Sequence, residues 1–402
     1  MREKDSYKRG SRALGVTAAL LAVAACGPRV GAGTDSAAVC INGTTRCTGN
    51  QYERCVGGAW TVDAVCQGHD VCTPGSGCSG PCSPEALERT YSGCEFYAAD
   101  LPQWGEPIPF GTIAAEQQFA VAVANPWDET IGVLVERNDA LPGEVPVVVE
   151  VLWQEVAPRS LAVLNLDARE VSGYVNGVTR SASHLAAAAY RVTTSLPATA
   201  YQFNPLHNPD AYSNDASLLI PVSALDESYL VLGWPGEGGE IFPGLRTDRR
   251  SFITIVGSQA GTRVRVVPTT HVMAGVGLPA LAPGDEFVVT LGPFETLNLE
   301  GDDLATFGVT DFTGTRVEAD GPIAVFSGVE CINVGSGCCC DHLEEQLFPR
   351  SSLGTAYVAV HSQPRSTGFV ENDAFRVLAL ADGTTVTTSL AAPDDSFTLA
   401  RG

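Results

Sequence analysis

The stretch GSGCCCDHLEEQLFP, residues 335–349, sets Cys338, Cys339 and Cys340 directly ahead of Asp341, His342, Glu344 and Glu345. Three chemistries compete for such a cluster. Thiolates with an imidazole are the usual ligands of zinc or copper, a Cys–His pair is the beginning of a thiol nucleophile, and cysteines in an oxidising compartment close loops. Three adjacent cysteines cannot all point at one tetrahedral ion without distortion, and the sequence supplies no evident third group to orient His342 as a base. A bond between neighbouring cysteines is strained, so Cys331 is expected to reach one of the three, with the other two left to be assigned.

The carboxylates raise a separate question. Asp341, Glu344 and Glu345, with Asn208, Asp210, Asn214 and Asp215 of an earlier loop, are oxygen donors of the kind Ca2+ takes. The DxDxDG spacing of a calcium loop is absent, so the alternative is a pair of solvated loops whose side chains cap turns. Asn214, Asp215, Asp341, His342, Glu344 and Glu345 are the candidate binding residues, and no cofactor other than Ca2+ is suggested. A hydrolase of extracellular polymer would need an acid/base pair such as Asp341 with Glu345 in one cleft. Otherwise no catalytic residue is assigned.

The start of the chain sets the compartment. Arg2, Lys4, Lys8, Arg9 and Arg12 precede the 13-residue apolar run ALGVTAALLAVAA, too short to span a bilayer and right for the core of a secretory signal. It ends Val23-Ala24-Ala25-Cys26, which resembles the lipobox in which a cysteine is acylated and becomes the new N-terminus. Each buried lipid CH₂ contributes about 0.8 kcal/mol, so a multiply acylated Cys26 would hold the protein durably on a membrane, its one predicted membrane contact. Gly27 lacks the aspartate that often retains lipoproteins at the inner membrane, which points to the outer membrane or cell surface.

Removing the signal's five basic and two acidic residues from totals of 24 and 46 leaves 19 against 44, a net charge of about −25. Nucleic acid and anionic lipid are repelled by that field. Lys4 and Lys8 are the only lysines, which removes P-loop, Schiff-base and Ser-x-x-Lys chemistry from the mature chain. Neither a GxSxG elbow nor an HExxH helix occurs.

The elements that must position the cluster follow from the rest of the chain. Residues 1–26 form the signal and residues 27–39 a small, polar tether. Residues 40–89 hold seven of the eight N-terminal cysteines, Cys40, Cys47, Cys55, Cys66, Cys72, Cys78 and Cys82, with Cys94 just beyond. Apart from Trp60, Val65 and Val71 this segment has little apolar material, so disulfides must constrain it. Its cysteine spacings lack the paired CxxC knuckles of a zinc ribbon. Twelve cysteines after Cys26 allow six disulfides, with eight in the first group and four (Cys331, Cys338, Cys339, Cys340) in the second.

From residue 90 to 402 the pattern is alternating Val, Ile, Leu, Thr and Phe broken by Gly, Pro, Asn and Asp, an all-β domain. FAVAVANP, VPVVVEVLW, YLVLGWP, SFITIVGS, TRVRVVP, EFVVTLG, TRVEAD and PIAVFSG read as strands, and SHLAAAAYRV as a short helix or a strand lead-in. The strands recur. Phe119 matches Phe252 and Leu164-Asn165-Leu166 matches Leu297-Asn298-Leu299, both 133 residues apart; Arg191, Val192 and Pro197 match Arg316, Val317 and Pro322 at 125. Pro221, Leu225 and Tyr229 match Pro349, Leu353 and Tyr357 at 128. Units of about 130 residues are expected, as tandem β-sandwiches or as pairs of propeller blades, with a third copy beginning at Tyr357 and breaking off at residue 402 as in a fragment. Residues 329–346 and 204–216 occupy equivalent places in successive units.

AYRVTTSLPATAYQFNPL, SNDASLLIP, GTRVEADGPIAVFSG, ECINV and CDHLEEQLFP together resemble the IgGFc-binding protein N-terminal domain, over roughly residues 90–402. The resemblance implies a secreted, disulfide-bearing β domain used for binding, in a family whose bacterial relatives are lipid-anchored or secreted. Three consecutive cysteines depart from the family's usual pattern and leave the partner of Cys331 open. The expected function is therefore a lipid-anchored, non-enzymatic surface binding or adhesion protein for an extracellular protein or glycan, the alternatives being the hydrolase or a structural envelope component.

Overall fold

The computed structural model describes residues 40–402 apart from 88–89, 106–112, 174–181, 208–212, 243–244, 248, 304, 306–307, 335–339, 362, 364–367, 369–372 and 391–394. The described residues are all-β, with three short 3-10 turns and no helix long and apolar enough to cross a membrane.

The cysteine-rich segment folds as a three-stranded antiparallel sheet (Thr45–Thr48, Gln51–Val56, Ala59–Val65) and a hairpin (Val71–Thr73, Gly77–Ser79). Cys40–Cys55, Cys47–Cys72 and Cys66–Cys78 fasten it. Its buried apolar residues are Tyr52, Cys55 and Cys66, whereas Val65 and Val71 are exposed and Trp60 lies under the Arg46 guanidinium. So thin a core leaves the crosslinks as the main constraint. The fourth bond, Cys82–Cys94, ties the segment to the first strand of the β domain.

Two units of seven strands follow. The first comprises β1 (Gly93–Ala98), β2 (Ala120–Ala124), β3 (Ile131–Asn138), β4 (Val148–Val156), β5 (Leu161–Asn165), β6 (Tyr190–Asn204) and β7 (Asp215–Leu219). The second comprises β8 (Asp226–Leu230), β9 (Ser251–Gly257), β10 (Thr262–Val267), β11 (Phe287–Leu291), β12 (Thr296–Glu300), β13 (Arg316–Ile332) and β14 (Asp341–Gln346). The first sheet runs β5-β2-β6-β3-β4, with β1 and β7 also on β6; the second runs β12-β9-β13-β10-β11, with β8 and β14 also on β13. One wiring serves both.

The central strands β6 and β13 each belong to two layers. Residues 190–194 of β6 pair with β3 and β1, and residues 199–204 with β2 and β7. Pro197 sits at the join, where the ladder shifts register and an N–H is not needed. β13 repeats this, pairing with β10 up to Ala319 and with β9 from Ile323, with Pro322 between. TRVEAD and PIAVFSG are thus one strand, bent at the proline rather than broken by it. Each unit is a curled two-layer sheet about such a strand; a propeller would need its blades as separate sheets.

SHLA, Ser183–Ala186, is a strand lead-in and it crosses units: it pairs antiparallel with β12 of the second sheet, and Gly275–Val276 lies on its other side. Phe96, Phe119, Tyr190 and Val192 centre the first core, which Phe252, Phe294 and Phe326 of the second unit join. Ile253, Ile255, Val264, Leu297, Leu299 and Val325 centre the second. Among the described residues of the expected third copy, Thr384–Thr387 and Ser396–Leu399 form a hairpin and Ala379 bridges Arg401. Residues 357–361, read as its first strand, lie outside any strand, with Tyr357, Val358 and Val360 exposed.

Candidate functional site

The cysteine cluster is resolved in part. Cys331, at the end of β13, bonds to Cys340, immediately before β14. The bond closes the excursion between two paired strands. Cys338, Cys339, Asn208, Asp210 and Cys26 lie outside the described residues.

β14 is polar along its length, DHLEEQ, and its period-two alternation decides each residue's environment. His342, Glu344 and Gln346 face inward and are buried, while Asp341 and Glu345 face out. The inward residues meet β7 of the preceding unit. The N–H groups of His342, Glu344 and Gln346 point away from β13 and donate to Ser213 Oγ (3.1 Å), Asp215 Oδ2 (2.9 Å) and Ser217 Oγ (2.7 Å). In return Asn214 N donates to Asp341 Oδ1 (3.0 Å) and Ile220 N to Gln346 Oε1 (2.7 Å). Two strand edges that would otherwise leave buried N–H groups unmet are joined by a comb of side chains.

Behind the comb lies a buried polar layer. The His342 ring stacks on Phe252 (centroids 6.1 Å, planes 16° apart), with Nε2 3.4 Å from Glu344 Oε2 and Nδ1 3.4 Å from the Glu330 carbonyl oxygen. Gln202 Nε2 donates to Glu344 Oε1 (3.1 Å), and Gln202 Oε1 accepts from Ala99 N (3.0 Å). Asp100 Oδ2 accepts from Arg169 N (2.8 Å).

Burial governs the ionisation of this layer, because it disfavours whichever form is charged. It lowers His342 to about 4, against the opposing pull of Asp215 and Asp341. Asp100 rises to about 7 by burial, reinforced by the Glu344 charge, although the Arg169 N–H bond works the other way. Glu344 is raised well above the usual range by burial, and Asp215 is raised by burial despite two backbone donors. Glu345 is pushed up to about 7 by partial burial of its carboxyl and by the charges of Asp215 and Glu344.

These placements revise the candidate set. His342 and Glu344 serve the packing between units and are closed to an incoming ligand, contrary to their reading as loop residues; Asn214, Asp341 and Glu345 remain outside. Asp341 and Asp215 already cap backbone N–H groups, the turn-capping alternative to a calcium site. Among the described residues no three His, Cys, Asp or Glu side chains are grouped to hold a metal. A shallow, open concavity of about 180 Å³ is lined by Arg263, Arg265, Glu318, Ala319 and Asp320, away from Asp341 and Glu345. Ser213, Ser217, Gln202 and Gln346 were missed in sequence; polar residues at alternate positions, SNDAS, were the signal.

Comparison with known proteins matches residues 215–402 to the family model described as IgGFc binding protein. The human IgGFc-binding protein is 33% identical over 145 residues, 36% of this chain and 2% of the human protein's length. No solved structure matches the chain. The matched residues run from the first strand of the comb through the whole second unit, including CDHLEEQLFP, and it is over this region that the chain is similar to the IgGFc binding protein family.

Proposed function

We propose that the protein is a non-enzymatic binding protein of the cell surface, anchored by lipid on Cys26 and raised by the tether and the cysteine-rich segment, with its β domain presented to an extracellular protein or glycan. The observation that carries the binding surface is the meeting of equivalent loops from successive units, where Asn214 N donates to the Asp341 carboxylate at 3.0 Å on the exposed rim of the comb. The human relative is named for binding the Fc part of immunoglobulin G, which supports a protein ligand for this chain. Asp341 Oδ1 already accepts from the Asn214 and His342 N–H groups, which favours a structural role for it over the acid/base alternative.

Two measurements test the proposal. Cys26→Ser is expected to move the protein from the membrane fraction to the soluble one and to abolish incorporation of a fatty-acid label. Purified protein is to be screened against immunoglobulin Fc and an array of extracellular proteins and glycans. Asp341→Ala is expected to weaken any hit while leaving the melting temperature within a few degrees. A hit that Asp341→Ala leaves intact would place the binding surface elsewhere.

A further inference from the structure

The chain has five tryptophans, and against four of them a basic side chain rests. The Arg46 guanidinium lies 4.4 Å from the Trp60 ring centre, Arg376 5.6 Å from Trp234 and Arg249 5.9 Å from Trp104, while the His69 ring meets Trp127 edge-on with centroids 4.9 Å apart. Three of these bases are also held by a carboxylate: Arg46 by Glu53 (2.6 Å), Arg376 by Asp311 (2.8 Å) and His69 by Glu129. The grouping has one cause, since the negative face of an indole and a nearby carboxylate attract the same cation. Trp153 is the fifth. It stands 56% exposed on the outer face of β4 with its indole over Gly132 of β3, and among the described residues no basic side chain lies over it.

The carboxylates for a fifth cation are in place. β4 pairs with β3 in the register Gly132–Glu155, Leu134–Trp153 and Glu136–Glu150, so the partners of alternate β3 residues share one face. Glu150 is three residues from Trp153 and in a regular strand would point the other way. The bulge at Val151 brings it round, while Val151 and Leu152 both pack against the core. Glu150, Trp153 and Glu155 are all exposed. Arg191, which shares this face from β6, is taken up by Glu136 (2.8 Å) and by the Phe294 ring. β4 is also an edge, paired with β3 alone among the described residues, and its outer row of backbone groups is open to one more strand. We propose that this edge receives an extended basic segment of a partner protein, with an Arg or Lys side chain seated on Trp153 between Glu150 and Glu155. Charge decides the occupant. A net charge of −22 and two carboxylates along the edge repel a second copy of this chain and anionic lipid, and they attract a basic strand. The site lies on β4, apart from the rim of the comb, and does not rest on Asp341.

The test uses the full chain and a fluorescent peptide alternating Arg and Thr, with a Glu-Thr peptide alongside, read by anisotropy at low and at physiological salt. Binding of the Arg peptide alone is expected, weakening as salt rises. Trp153→Ala is expected to weaken it about tenfold, the loss usual for a central aromatic contact, and Trp153→Tyr to restore most of it. Glu150→Gln/Glu155→Gln is expected to weaken binding and flatten its salt dependence, whereas Glu227→Gln, which removes an exposed carboxylate of the second unit, leaves it unchanged. All these positions are exposed, so the variants are expected to melt as the parent does. An Arg peptide that does not bind, or that binds Trp153→Ala as tightly as the parent, overturns the proposal, the second result reducing the attraction to overall charge. A neutral glycan that binds through Trp153 where the Arg peptide does not would also overturn it and make the indole a sugar platform. The screen that reports on the Asp341 rim can fail without touching this result, because the two surfaces carry different variants.

Discussion

Burial presses His342 and Asp100 toward neutrality from opposite sides, and the pH dependence of stability follows from that. Asp100 has a folded value of about 7 against an ordinary 3.8, so between those values the folded chain keeps a proton the unfolded chain has lost, and stability falls as pH rises. His342, at about 4 against 6.5, does the reverse: as pH drops below 6.5 the unfolded chain takes up the proton first, and stability falls toward acid. The trends oppose each other between 4 and 6.5, and above 6.5 the carboxyl trend acts without that opposition. Asp100→Asn is therefore expected to raise the melting temperature at pH 8, by a stabilisation on the order of 2–4 kcal/mol, and to match the parent near pH 4. Thermal melts at the two pH values check this, and an equal difference at both would show that the Asp100 charge is not the cause. Little of this was legible in sequence. CDHLEEQ reads as a solvated, ligand-bearing loop because hydropathy assigns polar residues to water, and only the positions of β7 and β13 reveal which alternate side chains are enclosed.

At the scale of the element, period-two alternation was a good guide and proline a misleading one. FAVAVANP, SFITIVGS, TRVRVVP and EFVVTLG all contain strands at or near their predicted places. TRVEAD and PIAVFSG read as two strands, yet Pro322, like Pro197 in the first unit, sits inside one strand, of 17 and 15 residues respectively, at the point where it passes from one layer to the other. Matching offsets of these prolines were the available clue, because a bend shared by two copies is a designed feature of the unit. The comb is a second element-level device. Removing one of its teeth, Ser217→Ala, leaves the Gln346 N–H buried without its acceptor and is expected to cost about 1–3 kcal/mol in chemical denaturation, with the slope unchanged. An unaltered midpoint would mean that water replaces the hydroxyl at no cost.

At the scale of the whole molecule, the cysteine count showed that the N-terminal segment is stapled but not how, since eight cysteines allow 105 pairings. The described bonds make the segment nearly independent, with Cys82–Cys94 as its covalent fastening to the β domain beyond the chain itself. The double variant Cys82→Ala/Cys94→Ala is expected to lower stability by roughly 2–4 kcal/mol while mass mapping still finds Cys40–Cys55, Cys47–Cys72 and Cys66–Cys78. Rearranged pairing in the variant would contradict that independence. The two β units are joined by other means. The family match begins at Asp215, the first residue of β7, a strand whose ladder partner β6 lies before it, and β12 inside the match is covered by Ser183–Ala186, also before it. The matched stretch is therefore not a block that packs by itself. The second unit meets the first as a lap joint, its edge strand resting on Ser183–Ala186, so cut free of the first unit it would leave behind part of its own sheet.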